Sequence, residues 1–352
     1  MFHPISNNAL VIKTTGGKSS FEQRLSQIPK PRANQALVRV SHVAQNSIDG
    51  KISYSFDNGN FGDGDVLGCD FVGTVEEIGD AVSKLSKGDI IAGIVLGGKI
   101  KGLGGYSEYT LADEELCFKL PPNIPREEAV TVPLAVCTAY LGLFSAGCLN
   151  IDRKEGPEAS ILIWGASSCV GRFAIQIATI YRFRVIATCS PSNFDLVRSL
   201  GASHVLDYRD MDVIPRIHEL SPRLEYAFDT MGSSKTSSTV SEALTGVSRR
   251  LCTIRQSDAY QSNISSYASI TDVCVWKAFL HDHWEGERRF SPSVSSHNSA
   301  TELFSAVGNW LRDSIIKPNH PRILKGGLYA VKSGFELDRS EGPLDYKLVY
   351  EI

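Results

Sequence analysis

The sequence has little of the positive charge expected of a protein that binds nucleic acid or an anionic membrane. Of its 352 residues, 36 are Lys or Arg and 39 are Asp or Glu, which gives a formal net charge of only −3. Basic residues nowhere form a run of about five or six, the pattern typical of polyanion binding. The charge pattern therefore argues against nucleic acid or a membrane surface as the main ligand.

Long apolar runs are also missing. A helix needs about 20 consecutive, predominantly apolar residues to span a bilayer, and no run of apolar residues here approaches that length. Residues 1–13 include Asn7 and Asn8 and have no basic region ahead of an apolar core, unlike a secretory signal. We therefore predict a cytoplasmic protein without a membrane partner.

Cysteines are present, but no two form a C-x-x-C pair. This spacing argues against a zinc ribbon and against a disulfide framework. Several lie in apolar runs, where cysteine usually acts as a small buried apolar residue in a reducing compartment. The eight cysteines are Cys69, Cys117, Cys137, Cys148, Cys169, Cys189, Cys252 and Cys274.

The first 120 residues contain short runs typical of β-strands, separated by turns that contain glycine. We predict strands at residues 36–43, 70–78, 90–95 and 106–111. Many short strands with turns at short spacing are typical of a barrel-like β domain.

After Pro121 and Pro122 the pattern changes. Residues 126–146 are apolar and rich in alanine, which predicts a helix interrupted near Pro133. From residue 160 onward, strands and helices alternate, which predicts an α/β domain with a doubly wound parallel sheet. The predicted strands are 160–164, 184–188, 204–206, 226–229 and 251–254, and the predicted helices are 170–181, 194–200 and 234–244.

The C-terminal third gives a weaker pattern. We predict a further strand within residues 270–279, a mobile loop at 285–299 and an amphipathic helix at 301–313. The remaining tail, with its glycines and the run 347–350 (KLVY), has the pattern of β structure.

Residues 165–171 (GASSCVG) join the strand predicted at 160–164 to the following helix. A glycine there permits a tight turn, small residues let a pyrophosphate approach the backbone, and the helix N-terminus favours negative charge. The alternative is a plain strand-to-helix turn, but the strand–helix units that follow favour a dinucleotide site. The predicted cofactor contacts in this turn are Gly165, Ser167, Ser168, Cys169 and Val170.

The next strand ends without the acidic residue that would bind the ribose 2′-hydroxyl of NAD. Ser190, Ser192 and Asn193 instead offer hydroxyl and amide groups to a 2′-phosphate, and Tyr208 follows the third strand. These residues favour NADPH, although no Lys or Arg lies within the turn itself. Ser192 and Asn193 also suit N-capping of the next helix, and the two roles are compatible.

Five segments together resemble the medium-chain dehydrogenase/reductase superfamily. They are residues 68–75 (GCDFVGTV), 87–89 (KGD) and 105–109 (GYSEY), Pro133 with residues 138–140 (TAY), and the glycine-rich turn. The resemblance covers nearly the whole chain and implies a GroES-like, β-rich catalytic domain followed by a Rossmann domain. It implies that the catalytic domain spans residues 1–125 and is completed by 310–352, with the Rossmann domain at 126–309.

The zinc enzymes of this superfamily carry a catalytic cysteine where this chain has Asn46, and a histidine–glutamate pair where it has Cys69 and Asp70. Catalytic zinc needs about three converging protein ligands, and Cys69 alone does not supply them. The four clustered cysteines of the structural zinc lobe are also missing. The sequence therefore predicts an enzyme that uses no metal.

Among the zinc-free branches, the chain most resembles trans-acting enoyl reductases and toxD-like reductases of fungal secondary metabolism. The resemblance rests on the run Asn46-x-x-Asp49-x-Lys51 and on the glycine-rich turn. It implies that Lys51 and Thr138 lie near the nicotinamide ribose and the substrate. The resemblance also implies cofactor contacts at Asn46, Asp49, Ile254 and Arg255, and a substrate pocket that includes Tyr106, Val275 and Trp276.

That activity would reduce an activated C=C bond in a free or carrier-bound enone, with a polyketide megasynthase as a possible partner. Lys51 is the first candidate to stabilise the developing enolate oxygen, and Tyr54, Tyr106 or water could protonate the α carbon. The alternative reading of Lys51 is a solvated lysine in a turn.

Two other functions remain open. The first is a quinone or carbonyl reductase with the same cofactor. The second is a protein that keeps the fold without redox chemistry, such as an isomerase, a cyclase or a binding partner of a megasynthase.

Overall fold

The computed structural model describes residues 6–15, 18–54, 62–98, 100–254, 264, 268–285, 288–341 and 346–352. The chain forms two compact units. The first unit comprises Met1–Leu134, Phe279–Pro292 and Thr301–Ile352, and the second comprises Ala135–Ala278 and Ser293–Ala300. The domain limits implied by the resemblance, 125/126 and 309/310, stay a prediction.

The secondary structure elements are numbered in chain order. The strands are β1 Asn7–Thr15, β2 Lys18–Ser26, β3 Gln35–Ala44, β4 Asp70–Ile78, β5 Ile90–Ile94, β6 Tyr109–Asp113, β7 Cys117–Lys119, β8 Ser160–Trp164, β9 Arg184–Cys189, β10 His204–Asp207, β11 Tyr226–Asp229, β12 Arg250–Thr253, β13 Ser269–Asp272, β14 His283–Glu285, β15 Arg288–Phe290, β16 Pro321–Ile323 and β17 Lys347–Glu351. The helices are α1 Ser47–Tyr54, α2 Arg126–Ala129, α3 Pro133–Phe144, α4 Cys169–Ile180, α5 Phe194–Ser199, α6 Val213–Leu220, α7 Ser234–Ala243, α8 Val294–Arg312 and α9 Ala330–Glu341.

The first unit is built on a seven-stranded sheet in the order β16-β17-β3-β4-β5-β7, with β6 also pairing with β3. All pairs are antiparallel except β16 with β17. The C-terminal strand β17 lies directly beside β3, so the last residues of the chain complete this sheet. Its core combines side chains from both ends of the sequence, including Ile12, Phe71, Tyr106 and Tyr350.

One helix of this unit lies where the sequence predicted other structure, because α9 replaces the β structure expected of the tail. Lys51 lies in helix α1, whereas its alternative reading placed it in a turn. Gly334 contributed to the wrong prediction for the tail. In the structure it lies inside α9, where the helix packs closely against Tyr350. A Cβ atom at Gly334 would lie within van der Waals radius of the Tyr350 hydroxyl, so only glycine fits there.

The second unit contains the predicted doubly wound parallel sheet, in the order β10-β9-β8-β11-β12-β13. Every neighbouring pair is parallel. The chain builds outward from β8 in one direction and from β11 in the other, so strand order reverses between these two strands. Ligands of such sheets bind at the carboxyl ends of the strands beside this reversal.

The segment between residues 270 and 300 differs from its prediction. Strand β13 ends at Asp272, and a 3₁₀ turn follows at Val275–Ala278. The region expected to be a mobile loop contains the hairpin β14–β15 and the start of α8 at Val294. Serines 295 and 296 lie within this helix, where Ser296 is buried and hydrogen-bonded to Ser145.

Among the described residues, one segment, Arg126–Phe144, has the length and apolar composition of a possible membrane span. It is 89% buried within the protein's own structure, as the core helix of a folded unit also is. Its first three residues, Arg126, Glu127 and Glu128, are charged.

Candidate cofactor and active site

The glycine-rich turn follows β8 and is held in a tight conformation. Gly165 has φ +75°, and a Cβ atom there would lie 2.8 Å from the Thr230 hydroxyl oxygen. A Cβ atom at Gly171 would lie 2.5 Å from the Gly165 carbonyl oxygen. Neighbouring atoms therefore lie too close to both positions for any residue larger than glycine, as the sequence predicted for this turn.

Three of the seven backbone amides of the turn donate to acceptors in the described part of the chain. Ala166 N donates to Thr188 O, Ser168 N donates to Gly165 O, and Gly171 N donates to the Oγ atom of Ser168, which caps helix α4. The amides of Ser167 and Val170 have no protein acceptor within the described part of the chain. Two available N–H groups at the start of a 12-residue helix fit an anionic phosphate, and the helix dipole adds to that preference.

The edge of the sheet beside β9 carries further polar groups. Asn193 lies at the N-cap position of α5, but its side chain makes no capping hydrogen bond. The expected capping role of Asn193 is therefore wrong, because its side-chain amide makes no hydrogen bond to the start of α5. Ser190 and Asn193 are half-buried, and Ser192 is exposed.

The segment after β10 carries a positive charge, Arg209, that the sequence analysis did not consider because it searched only the turn after β9. Asp207 pairs in register with Cys189, so Tyr208 and Arg209 follow β10 at the sheet edge where Ser190 follows β9. Tyr208 is 44% exposed. Arg209 donates to both carboxylate oxygens of Asp207 at 3.0 Å and lies 5.5 Å from the Tyr208 ring centroid.

The first unit contains a buried polar cluster around Asp70. The Oδ2 atom of Asp70 accepts from Lys347 Nζ at 2.6 Å and from Asn46 Nδ2 at 2.8 Å. Its Oδ1 atom accepts from the backbone amide of Leu134 at 2.7 Å. Asn46 immediately precedes α1, so this cluster fixes the start of the helix that carries Lys51.

Asp49 is a second buried carboxylate, in the first turn of α1. Its Oδ2 atom accepts from the Asn46 amide at 2.9 Å and from the Tyr106 hydroxyl at 3.1 Å, and its Oδ1 atom accepts from Cys69 Sγ at 3.7 Å. Burial raises the pKa of Asp49 to about 6, because desolvation disfavours the charged carboxylate more than these hydrogen bonds stabilise it. Burial also raises the pKa of Tyr106 well above its usual value.

These side chains do not fit a zinc ion. Asn46 and Lys347 both bind Asp70, and Cys69 donates toward Asp49, so the donors are committed to one another. In the described ranges, no group of three His, Cys, Asp or Glu side chains is arranged to hold a metal. A lysine ammonium already compensates the charge of the buried carboxylate, which removes the main reason for a cation there.

The remaining predicted site residues lie at several places. Thr138 is half-buried in α3, whose other residues are buried. Ile254 is half-buried beyond β12, and its amide donates to Asp229 O. Val275 and Trp276 are buried in the 3₁₀ turn. For Lys51 the structure describes only the backbone, and Arg255 lies outside the described residues.

Tyr106 was predicted to line the substrate pocket. Its side chain is fully buried, and its ring makes edge contacts with Phe335 and Tyr350. Direct contact with a substrate stays a prediction for this residue.

Sequence reasoning missed three residues at these sites: Thr230, Arg209 and Lys347. Arg209 could have been found by extending the search from the second strand to the third. Lys347 had one signal, a charged residue at the start of the predicted strand KLVY, which requires a partner when buried.

Comparison with known proteins agrees with this architecture. Residues 32–122 match the family described as "Alcohol dehydrogenase GroES-like domain", and residues 169–247 match "Zinc-binding dehydrogenase". A zinc-type alcohol dehydrogenase-like protein of Schizosaccharomyces pombe is 30% identical over 86% of this chain and 88% of its own length. The trans-enoyl reductase thnE of Trichoderma harzianum is 30% identical over 94% of this chain and 92% of its own length.

Among solved structures, an alcohol dehydrogenase superfamily protein from Novosphingobium aromaticivorans superposes with a TM-score of 0.78 and 22% identity. The match covers 98% of this chain and 99% of that protein. The fold class predicted from the sequence, a GroES-like unit plus a Rossmann unit, is confirmed. The β-rich first unit, the doubly wound sheet with its glycine-rich turn and these matches agree, and the chain belongs to the medium-chain dehydrogenase/reductase superfamily.

Proposed function

We propose that this protein is an NADPH-dependent reductase of activated C=C bonds that acts in secondary metabolism and uses no metal. The observation that carries the proposal is the tight turn at Gly165, which ends in the two available amides of Ser167 and Val170 at the start of α4. This arrangement suits a dinucleotide pyrophosphate. The relatives named trans-enoyl reductases support the reaction class.

The preference for NADPH over NADH rests on the edge formed by β9 and β10. Ser190, Ser192 and Asn193 supply neutral donors, and Arg209 supplies the positive charge that the β9 turn lacks. A carboxylate that would bind a ribose 2′-hydroxyl is missing from the end of β9, and Asp207 on β10 is already paired with Arg209. The Nε and Nη2 atoms of Arg209 bind Asp207, so we propose that its charge and its remaining N–H groups meet the 2′-phosphate.

A bound nicotinamide supplies hydride from its C4 position to the β carbon of the acceptor. This chain's residues have the remaining tasks. The amides of Ser167 and Val170 hold the pyrophosphate, and Lys51 on α1 stabilises negative charge on the carbonyl oxygen. Asp49 accepts from the backbone amide of Asn46, and Asp70 accepts from its side chain. These two hydrogen bonds anchor the start of the helix that carries Lys51.

The proposal that the enzyme uses no metal rests on the groups around Asp70, which already bind one another. The ammonium of Lys347 compensates that carboxylate, so polarisation of the substrate falls to Lys51 rather than to a Lewis acid. We also propose that the protein works in the cytoplasm, on an enone that is free or bound to the carrier of a polyketide megasynthase.

Titration with NADPH and NADH, followed by nicotinamide fluorescence, tests the cofactor assignment. We expect NADPH to bind at least tenfold more tightly than NADH, a difference of about 1.4 kcal/mol. NADPH consumption is then compared between an α,β-unsaturated thioester and a quinone. Preference for the thioester supports the proposal, whereas preference for the quinone indicates a quinone reductase, and failure to bind either cofactor contradicts oxidoreductase activity.

A further inference from the structure

A chain of hydroxyl groups connects the glycine-rich turn to Thr230, the residue that directly follows the neighbouring strand β11. The Thr230 Oγ1 atom lies 2.9 Å from Ser168 Oγ, 2.8 Å from Trp164 O and 2.9 Å from Gly165 O. Ser168 Oγ in turn accepts from Gly171 N at 3.0 Å. Three backbone groups, Trp164 O of β8, Gly165 O of the turn and Gly171 N of α4, are therefore joined through two hydroxyls.

The number of protons on the two hydroxyls decides which of them donates in each hydrogen bond. Carbonyl oxygens only accept, so the single hydroxyl proton of Thr230 goes to Trp164 O and Gly165 O. The contact between Thr230 and Ser168 must then use the proton of Ser168. Because that proton is committed to Thr230, the Ser168 hydroxyl has none left to donate to a phosphate oxygen.

Asp229 holds the segment that presents Thr230. Its Oδ1 atom accepts from the amides of Met231 and Gly232, at 3.0 and 3.1 Å. Its Oδ2 atom accepts from the hydroxyls of Thr236 and Ser237, at 2.8 and 2.7 Å. Four donors satisfy this fully buried carboxylate, so the backbone on either side of Thr230 is fixed to the start of α7.

We propose that Thr230, held by Asp229, is a positioning residue for the cofactor pyrophosphate. It keeps the turn in the one conformation that leaves the Ser167 and Val170 amides available, and Ser168 acts through Thr230 rather than by direct contact. This inference rests on the proposed function. It assigns a role to a residue on β11's carboxyl end, outside the glycine-rich motif itself.

The test compares Thr230→Val, which keeps the shape and removes the hydroxyl, with Thr230→Ser, which keeps the hydroxyl. Thr239→Val is the matched control, because Thr239 also donates to a carbonyl, that of Lys235 in α7. Binding of NADPH and of adenosine 2′-phosphate is measured for each by isothermal titration calorimetry. Adenosine 2′-phosphate contacts the β9–β10 edge but contains no pyrophosphate.

Thr230→Val should weaken NADPH binding about tenfold, from the loss of roughly two net hydrogen bonds. Its affinity for adenosine 2′-phosphate should stay within about twofold of the wild-type value, as should both affinities of Thr230→Ser and Thr239→Val. A merely structural role would lower both affinities together and would overturn the inference. So would unchanged NADPH binding by Thr230→Val.

A double-mutant cycle with Ser168→Ala adds a second readout. If the two hydroxyls act together, the loss of NADPH affinity in Ser168→Ala/Thr230→Val should be smaller than the sum of the losses in the two single variants. Additive losses would overturn the inference. Failure of the wild-type protein to bind either ligand would overturn the proposed function and this inference with it, whereas normal binding by Thr230→Val overturns the inference alone.

Discussion

The Nζ atom of Lys347 lies 2.6 Å from the Oδ2 atom of Asp70, and both side chains are almost completely buried. The pair joins β17, near the end of the chain, to the first residue of β4. The same carboxylate accepts from the side chain of Asn46. The last strand therefore supplies the charge that allows Asp70 to organise the start of α1.

Breaking this ion pair on one side should be strongly destabilising. Lys347→Met leaves the Asp70 carboxylate buried without its counterion, and we expect the free energy of unfolding to fall by about 3–5 kcal/mol. Asp70→Asn/Lys347→Met should recover much of that loss, because Asn keeps an acceptor for the Leu134 amide and carries no charge. Urea denaturation measures both, and a double variant less stable than Lys347→Met would contradict this account.

Asp49 should make stability depend on pH in a defined direction. Because its pKa is raised from 3.8 to about 6, the folded protein keeps a proton between roughly pH 4 and 6 that the unfolded chain has lost. Its contribution to the free energy of unfolding therefore decreases as the pH rises through that window and is constant above it.

Asp49→Asn removes this titration and retains an oxygen that accepts from Tyr106. Relative to wild type, we expect the variant to gain about 1 kcal/mol of stability between pH 5 and pH 7.5. Urea denaturation at several pH values measures the difference. A difference that does not change with pH would show that Asp49 has an ordinary pKa.

Arg209→Ala should reduce the discrimination between the two nicotinamide cofactors. Loss of a charge-assisted contact with the 2′-phosphate should weaken NADPH binding by about tenfold or more and leave NADH binding within about twofold. Arg216→Ala is the matched control, because Arg216 is a similarly exposed arginine paired with Asp210 on the same unit. An equal loss for both cofactors would contradict a role for Arg209 in 2′-phosphate binding.

Lys51→Met should impair the chemical step rather than cofactor binding. Loss of one group that stabilises an oxyanion typically lowers kcat by about 10²–10³-fold, while the Kd of NADPH should not change. Lys30→Met, at an exposed lysine of the same unit, serves as the control. A kcat for Lys51→Met close to the wild-type value would contradict a catalytic role and would indicate that Lys51 is a solvated lysine.

The parts of this protein that the sequence predicted well are those with local causes. The strand β8, the turn at Gly165 and helix α4 are contiguous, and their apolar pattern and glycine positions specify them without reference to distant residues. The same holds for β9, β10 and β11, whose bounds match the predicted strands within two residues. The parallel pairing of the strands was also predicted, because alternating strands and helices favour a doubly wound parallel sheet.

The missed features depend on distant partners. Lys347 is separated from Asp70 by 277 positions. Arg209 lies at the same sheet edge as the β9 turn only because β9 and β10 pair in parallel. Helix α9 contains Gly334 because of the Tyr350 hydroxyl, which no local pattern indicates. The predicted roles of Lys51 and Arg255 rest on resemblance, and the structure describes neither side chain.

Reduction of an α,β-unsaturated thioester with NADPH deuterated at C4 tests the central claim most directly. Both C4 stereoisomers of the labelled cofactor are used, and the product is analysed by mass spectrometry and NMR. The account predicts a saturated product that carries deuterium at the β carbon from one stereoisomer only, with a proton from water at the α carbon. Deuterium at a carbinol carbon, or an unchanged thioester with unconsumed NADPH, would contradict it.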